Sequence, residues 1–395
     1  MWGLGSRGQN TLTLDPYPST NKIAIMSNIK ALLAACIVIA FVSFANAATT
    51  MKIDKQSFGQ TPDGQAVTRY TLTNSAGNSV QVMTWGASLL EVRVPDRLGN
   101  LENVNCVFDS LAPYLTKHPY FGSTVGRFCN RIGNAQFSID GTQYSLTVNH
   151  GKHQLHGGIK NFAFKNWESE SYQDESGGGV RFTLVSPDGD EGFPGEVSVT
   201  TDYHWNDANE LAIKFTATTD APTHVNFTNH SYWNLAGVGS GTMLDHLLTI
   251  EADQVLDVDG DLIPTGKFND VEGTPFDFRE PTAIGKRNDQ LPATKGYDHC
   301  LVVRGEAGNL RSAARVVDPQ SGRVMEVETT QPGMQLYAAG NLPGGDKSAG
   351  FGPHDAFCLE TQHFPDAPNQ PSFASTLLKP GEELEEVTVH RFLVD

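Results

Sequence analysis

Apolar and polar side chains alternate in short runs along most of the chain after residue 52. Val180-Arg181-Phe182-Thr183-Leu184 shows the period of two that is typical of a half-buried β-strand. Similar runs include AVTRYTLTN, SVQVMTWGA and ELAIKFTATTD, and residues that favour turns separate them. Asp140-Gly141 predicts a hairpin turn between AQFSID and GTQYSLTVN, and ESGGGV at 175–180 predicts the tip of another hairpin.

The pattern contains no long stretch with the period of 3.6 residues that an amphipathic helix requires. It therefore predicts an all-β chain of many antiparallel strands, folded as a sandwich or a barrel. We find no internal repeat and no Pro/Ser-rich linker after residue 47. Residues 48–395 are accordingly expected to form one domain, which is within the size range of β domains.

The segment 26–47, MSNIKALLAACIVIAFVSFANA, has the composition of an export signal. Lys30 precedes an apolar run over 31–44, and Ala45-Asn46-Ala47 resembles a processing site. A membrane anchor is the alternative, but the apolar run is shorter than the about 20 residues needed to span a bilayer. We expect cleavage, export to the periplasm or the extracellular space, and no stable membrane partner afterwards. Residues 1–25 are expected to be an extension ahead of a true start at Met26.

Charge narrows the choice of partner. The chain has 395 residues with 28 basic and 45 acidic side chains, a net charge of −17. This excess repels polyanions and makes nucleic acid an unlikely partner, whereas a neutral or cationic small ligand fits it. Outside the signal the cysteines have no CxxC spacing, and a domain of this size needs no disulfides, so we expect buried free thiols at Cys106, Cys129, Cys300 and Cys358.

Polar residues concentrate in a few dense stretches beside glycine, proline and aromatic residues. The stretches are GRFCNRIGNAQF (126–137), NHGKHQLHGG (149–158), TNHSYWNLAG (228–237), GYDHCL (296–301), TQPGMQLY (330–337) and FCLETQHFPDAPNQP (357–371). A carbohydrate pocket needs such a mixture, because aromatic rings stack on a sugar face and planar polar groups bind its hydroxyls.

Two residues in these stretches are candidates for proton transfer. Glu360 follows the apolar run AFCL, so burial should raise the pKa of its carboxyl toward neutrality. His230 is a natural complement, because imidazole both donates and accepts protons near pH 7. The spacing of His150, His153 and His156 suggests a metal site, but it fits neither a strand face nor a helix face. We find no phosphate-binding loop and no G-x-S-x-G elbow.

Together and in this order, GRFCNRI, QLHGG, TNHSYWNLAG, GYDHCL, TQPGMQLY and CLETQHFPDAPNQP resemble the aldose 1-epimerase (galactose mutarotase) family over about residues 55–393. The resemblance implies a large antiparallel β-sandwich with a shallow sugar cleft. It also implies that His230 is the general acid and Glu360 the general base. The sugar hydroxyls would be bound by Asn130, Arg131, His156, Tyr232, Asp298 and Gln335.

The implied reaction interconverts the α and β anomers of free hexoses such as glucose and galactose, without a cofactor or metal. The partner would be a small aldose, and the protein a monomer or weak dimer. Two departures from the family pattern are Cys129 in CNRI and Trp233 in SYWNL, and we expect Tyr232 and Trp233 to form walls of the pocket.

Three alternatives remain open at this stage. A glycoside hydrolase also needs an acid and a base around a sugar, but it normally uses two carboxylates. A non-catalytic sugar-binding protein could use the same scaffold. A sugar-phosphate epimerase would need a cluster of cations, for which the motifs offer mainly Arg127 and Arg131.

Overall fold

The computed structural model of the protein describes residues 51–395. The predicted extension (1–25) and the predicted export signal (26–47) lie outside the described residues. Three antiparallel sheets carry most of the described chain, and we name them the N-terminal sheet, the large sheet and the site sheet.

The N-terminal sheet has five strands in chain order: Lys52–Gln60, Ala66–Thr73, Ser79–Met83, Ser88–Pro95 and Leu101–Asn103. The large sheet has nine strands, which in spatial order are Glu168–Asp174, Gly177–Ser186, Val197–Trp205, Glu210–Thr219, Leu384–Val394, Arg323–Thr329, Arg311–Val317, Leu247–Ile250 and Thr282–Ala283.

The site sheet has five strands, in the spatial order Pro264–Asp270, Ala252–Val258, Asp298–Val303, Gly333–Tyr337 and Cys358–Gln362. Four two-stranded ladders complete the sheet structure: Arg131–Ile132 with Gln154–Leu155, Thr124–Val125 with Thr228–Asn229, Gln136–Ile139 with Thr142–Ser145, and Thr223–His224 with Leu377–Leu378.

Helical structure is sparse in the described part of the chain. It consists of one α-helical turn, Leu111–Tyr114, and short 3₁₀ segments. These segments are Gly133–Ala135, Phe162–Phe164, Asp190–Gly192, Ile284–Lys286, Asn288–Gln290, Gly345–Ser348 and Ala367–Asn369. The all-β prediction is therefore confirmed. Within residues 51–395, no helix combines the length and apolar character needed to cross a membrane.

One hydrophobic core joins the three sheets. Tyr70 of the N-terminal sheet packs edge-on against Phe182 of the large sheet, with ring centroids 6.4 Å apart. Leu301 and Leu359 of the site sheet belong to the same buried cluster. Strands such as Glu210–Thr219 send alternate residues into this core, which is the arrangement of a sandwich and follows from the period-two pattern of the sequence.

The predicted turns can be checked individually. Asp140 and Gly141 join Gln136–Ile139 to Thr142–Ser145 with φ of +50° and +80°, the left-handed pair that a tight hairpin requires. In the second hairpin only residues 175 and 176 form the tip, because Gly177–Ser186 is already a strand. Within residues 51–395, the four cysteines are buried and free, as predicted.

Candidate active site

A cavity of about 550 Å³ opens beside the site sheet, and seven of the eight predicted site residues line it. These seven are Asn130, Arg131, His156, His230, Tyr232, Asp298 and Glu360. The eighth, Gln335, is not part of the lining. The fold therefore brings residues from five separate stretches of the chain together around one cavity.

Strand register explains why the carboxyl groups and Gln335 converge. In the site sheet Glu360 lies opposite Gln335, and Gln335 lies opposite Cys300. The next row on the same face consists of Cys358, Tyr337 and Asp298. Residues directly opposite in a sheet share a face, as do residues two apart on one strand. Both rows consequently lie on the side of the sheet that faces the cavity.

His230 reaches the same cavity from a different element. It follows the strand Thr228–Asn229, and its backbone N–H donates to the carbonyl of Ser123 at 2.9 Å. Its Nε2 atom lies 3.8 Å from Oε1 of Glu360. Both side chains are buried, with 5% and 3% of their surface exposed. We call this pair the dyad.

Glu360 is a buried carboxyl with spare hydrogen-bonding capacity. Burial raises its pKa to about 8, the negative charge of Asp298 adds to the increase, and Arg131 opposes it. Its Oε2 atom has no hydrogen-bond partner among the described residues. At neutral pH much of this carboxyl is therefore protonated in the empty cavity.

His230 is stacked with two tyrosine rings. The ring of Tyr232 has its centroid 5.0 Å away and its plane 8° from that of the imidazole, and Tyr120 is stacked at 5.8 Å and 18°. Burial lowers the pKa of His230 to about 4, although its own backbone carbonyl and Asp298 oppose the decrease. The imidazole is therefore neutral at pH 7 in the empty cavity.

Four other predicted residues form a hydrogen-bonded group that we call the clamp: Asn130, Arg131, Asp298 and Gln335. Arg131 Nη2 donates to Oδ2 of Asp298 at 3.1 Å, and Nη1 donates to Oδ1 of Asn130 at 3.2 Å. Gln335 Nε2 donates to Oδ1 of Asp298 at 2.6 Å. Gln335 thus lies behind Asp298, and both oxygens of that carboxylate are engaged.

Backbone conformation around the cavity is unusual. Tyr120, Asn130 and His156 have φ of +65°, +60° and +53°. Side chains other than glycine rarely adopt this left-handed region, and such residues cluster at functional sites. All three residues line the cavity.

His156 has a defined tautomer. Its Nδ1 atom accepts the backbone N–H of Asn130 at 3.2 Å, so a neutral ring carries its proton on Nε2. Burial, together with the neighbouring His230 and Arg131, holds its pKa well below the ordinary value. His156 is therefore a neutral donor suited to a sugar hydroxyl.

The expectation that Trp233 forms a wall of the pocket is wrong. Trp233 is fully buried in the main core, with its ring 5.7 Å from that of Phe392. His230 and Tyr232 are two residues apart and both line the cavity, whereas Trp233 does not. The alternation that places Tyr232 in the cavity turns its neighbour into the core.

Several residues that line the cavity were not among the predicted site residues. They include Lys117, His118 and Tyr120 in KHPYFG (117–122), together with Tyr337 and the polar loop residue Asn341. KHPYFG combines histidine, proline, glycine and aromatics, which is the criterion that singled out the other stretches. That composition is the sequence feature from which these lining residues could have been predicted.

The three histidines of the NHGKHQLHGG stretch do not converge on one point. His150 and His156 line the cavity, but His153 faces elsewhere, since its Nδ1 accepts the N–H of Asn134 and its Nε2 lies 3.2 Å from Asp261. Within residues 51–395, the only group of three or more metal-ligand side chains is His230, Cys358 and Glu360, with donor atoms within 4.8 Å. A metal held there would occupy the dyad itself.

Known proteins are similar to this chain in sequence and in fold. The family model described as Aldose 1-epimerase matches residues 68–391. The galactose mutarotase of Bos taurus is 43% identical over 347 residues, covering 87% of this chain and 99% of that protein. The aldose 1-epimerase of Escherichia coli is 36% identical over 342 residues, covering 85% and 97%. The crystal structure of galactose 1-epimerase from Lactobacillus acidophilus matches with a TM-score of 0.78 and 26% identity, covering 87% of this chain and 99% of that one. The chain belongs to the aldose 1-epimerase family.

Proposed function

We propose that this protein is an aldose 1-epimerase that interconverts the α and β anomers of free hexoses such as glucose and galactose. The observation that carries the proposal is the dyad: an imidazole and a carboxyl, 3.8 Å apart and buried, in a cavity lined by groups suited to sugar hydroxyls. Family membership supports the same activity.

In the proposed mechanism Glu360 removes the proton from the anomeric hydroxyl while His230 protonates the ring oxygen. The bond between C1 and the ring oxygen breaks and gives an open-chain aldehyde. Rotation about the C1–C2 bond presents the other carbonyl face, and reversal of both proton transfers closes the ring as the other anomer. Each positioned acid or base contributes about 10²- to 10⁴-fold to the rate.

The number of protons that His230 and Glu360 hold between them fits this mechanism. The active pair needs one proton in total, and between about pH 4 and about pH 8 the empty dyad holds one, mainly on Glu360. An anomeric hydroxyl that donates to Glu360 stabilises the carboxylate and so favours transfer of the proton to His230. Sugar binding thereby produces the acid and base that the reaction requires.

The clamp and His156 orient the bound sugar in the proposed mechanism. Asp298, Arg131 and Asn130 present acceptors and donors in a fixed arrangement, and His156 adds a neutral N–H. We assign them to the sugar hydroxyls, with Tyr232 forming the wall beside His230. Gln335 supports Asp298 in this arrangement.

The hydrogen bonds of Asp298 and Arg127 do not favour a glycoside hydrolase or a sugar-phosphate epimerase. A hydrolase with two catalytic carboxylates would need Asp298 beside Glu360, but Asp298 is engaged by Arg131 and Gln335. A phosphate site loses Arg127, because its guanidinium donates to Ser186 and to the carbonyls of Pro187, Pro194 and Gly195.

The test uses polarimetry to measure the mutarotation of fresh α-galactose and α-glucose by the parent protein and by the Glu360→Gln variant. We expect the parent to accelerate equilibration and the variant to lose at least about 10²-fold in kcat while sugar binding persists. Glu386→Gln is the matched control, because Glu386 is also buried but pairs with His363 outside the cavity. A Glu360→Gln variant with parental rates would refute the assignment.

We also propose that the protein is exported after cleavage of residues 26–47 and acts as a monomer or weak dimer. The signal-like composition of that segment supports export. Amino-terminal sequencing of the secreted fraction should give a start at Ala48, and a product that retains residue 10 would contradict the proposal. Analytical ultracentrifugation would report the assembly state.

A further inference from the structure

Three aromatic rings surround the buried imidazole of His230. Tyr120 and Tyr232 are stacked with it, and the ring of His156 approaches edge-on with centroids 5.2 Å apart. The two ring nitrogens therefore carry the remaining polar contacts.

Each nitrogen has a different neighbour. Nε2 faces the carboxyl of Glu360, and Nδ1 lies 3.7 Å from the Sγ atom of Cys358, within hydrogen-bond range for sulfur. Cys358 and Glu360 are two residues apart on one strand, so they project from the same face. One strand thus places a carboxyl at one nitrogen of His230 and a thiol at the other.

The partner of Nδ1 decides how His230 can act. If Nε2 exchanges a proton with the sugar, the second proton must stay on Nδ1 throughout the cycle, because only then does Nε2 alternate between N–H and lone pair. Sulfur is a weak acceptor for such an N–H. A carboxylate at this position would stabilise the imidazolium and make it a weaker acid, whereas a thiol orients the ring without a charge.

We propose that Cys358 is a positioning residue for the reaction: its Sγ accepts the Nδ1–H of His230 and so keeps Nε2 as the nitrogen that exchanges protons with the substrate. This inference deepens the proposed function and rests on it. No bond to sulfur forms or breaks in the cycle, and Cys358 stays a thiol.

The surroundings of His230 must be considered in any pH measurement. The ionisable groups that face it from the neighbouring elements are His118, His156, Tyr120, Tyr232, Asp298 and Glu360, in addition to Cys358 itself. Substitution of Cys358 leaves these groups in place but also removes its hydrogen bond with Tyr232, so a change in the pH profile reports on the contact at Nδ1 only when the tautomer of His230 changes with it.

The experiment compares Cys358→Ala and Cys358→Ser with the parent, and uses Cys106→Ala as control. Cys106 is a buried thiol of the same hydrophobic cluster, without a contact to the dyad in the described structure. Loss of orientation in Cys358→Ala should lower kcat about tenfold, while KM changes less than about twofold. A serine hydroxyl can accept the same N–H, so Cys358→Ser should regain at least about half of the loss on a logarithmic scale.

Two further readouts separate positioning from packing. Histidine ¹⁵N NMR of the sugar-free parent should show His230 protonated at Nδ1, and this tautomer should become mixed in Cys358→Ala. The acid limb of the kcat profile should move to higher pH in the serine variant than in the alanine variant.

Parental kcat in Cys358→Ala, or a sugar-free parent whose His230 is protonated only at Nε2, would overturn the inference. Equal losses in Cys358→Ala and Cys106→Ala would also overturn it, because they would indicate packing. Failure of the proposed function is distinguishable, since the parent itself would then lack mutarotase activity while the NMR result would stand.

Discussion

The clamp and the dyad lie in the same cavity, but the carboxyl groups of Asp298 and Glu360 differ in how completely they are hydrogen-bonded. In the clamp, both oxygens of Asp298 accept hydrogen bonds, from Arg131 at 3.1 Å and from Gln335 at 2.6 Å. In the dyad, the closest approach is 3.8 Å and Oε2 of Glu360 has no partner among the described residues. The clamp is ordered before a sugar arrives, whereas the dyad lacks contacts that a sugar can supply.

This difference matches two tasks. Orientation requires a rigid arrangement that does not reorganise on binding, and a carboxylate whose two oxygens are both hydrogen-bonded, like that of Asp298, provides it. Proton transfer requires groups whose charged forms gain stability only when substrate is bound, and unsatisfied buried groups provide that. The two parts of the cavity should therefore respond differently to substitution.

The largest expected effect is on the dyad. His230→Asn should lower kcat by about 10²- to 10⁴-fold, because the ring oxygen loses its proton donor. Since the two groups act as a unit, the double variant with Glu360→Gln should be little slower than either single variant. Polarimetry with background subtraction measures all three rates. Multiplicative losses in the double variant would show that the two groups act independently.

A smaller effect is expected for the clamp. Asp298→Asn removes the negative charge that pairs with Arg131, so we expect kcat/KM to fall about 10- to 100-fold, mainly through KM. The same change removes a charge that raises the pKa of Glu360, so the alkaline limb should move to lower pH. Initial rates at several pH values test both statements. An unchanged KM would place Asp298 outside the sugar contacts.

The sequence predicts the local features of this site, such as burial and turns, better than it predicts contacts between distant strands. Burial of Glu360 follows from the apolar run before it, and the hairpin at Asp140-Gly141 follows from turn chemistry. Gln335 was expected to contact the sugar, but its position behind Asp298 depends on pairing between distant strands. Local patterns do not specify such register.

Trp233 and Tyr120 show two other limits. Trp233 was misplaced because nearness to His230 in sequence was read as nearness in space, although strand alternation directs the two side chains apart. The composition of KHPYFG marks Tyr120 as part of a candidate stretch but does not predict its stacking on His230, because that contact joins segments more than 100 positions apart. Side-chain direction and long-range packing come from the fold.

The smallest expected effect is on stability, with opposite signs for the two regions. The pKa of Glu360 in the folded state is above its ordinary value, so folding stability falls as pH rises from about 4.5 toward about 8. Glu360→Gln cannot ionise, so it should be more stable than the parent at pH 8, with little difference at pH 4. Asp298→Asn should be less stable at both pH values, because it leaves Arg131 without its charge partner. Denaturant unfolding of the parent and both variants at pH 4 and pH 8 measures whether each substitution raises or lowers the free energy of unfolding.

The most direct test of the shared-proton dyad is the pH dependence of kcat/KM for mutarotation, because this quantity reports the ionisation of the free enzyme. The account predicts a plateau between about pH 4 and about pH 8, with activity lost on the acid side when the dyad gains a second proton and on the alkaline side when it loses its last one. A rate that keeps its full value well above pH 8, or that declines on only one side within the stable range, would contradict it.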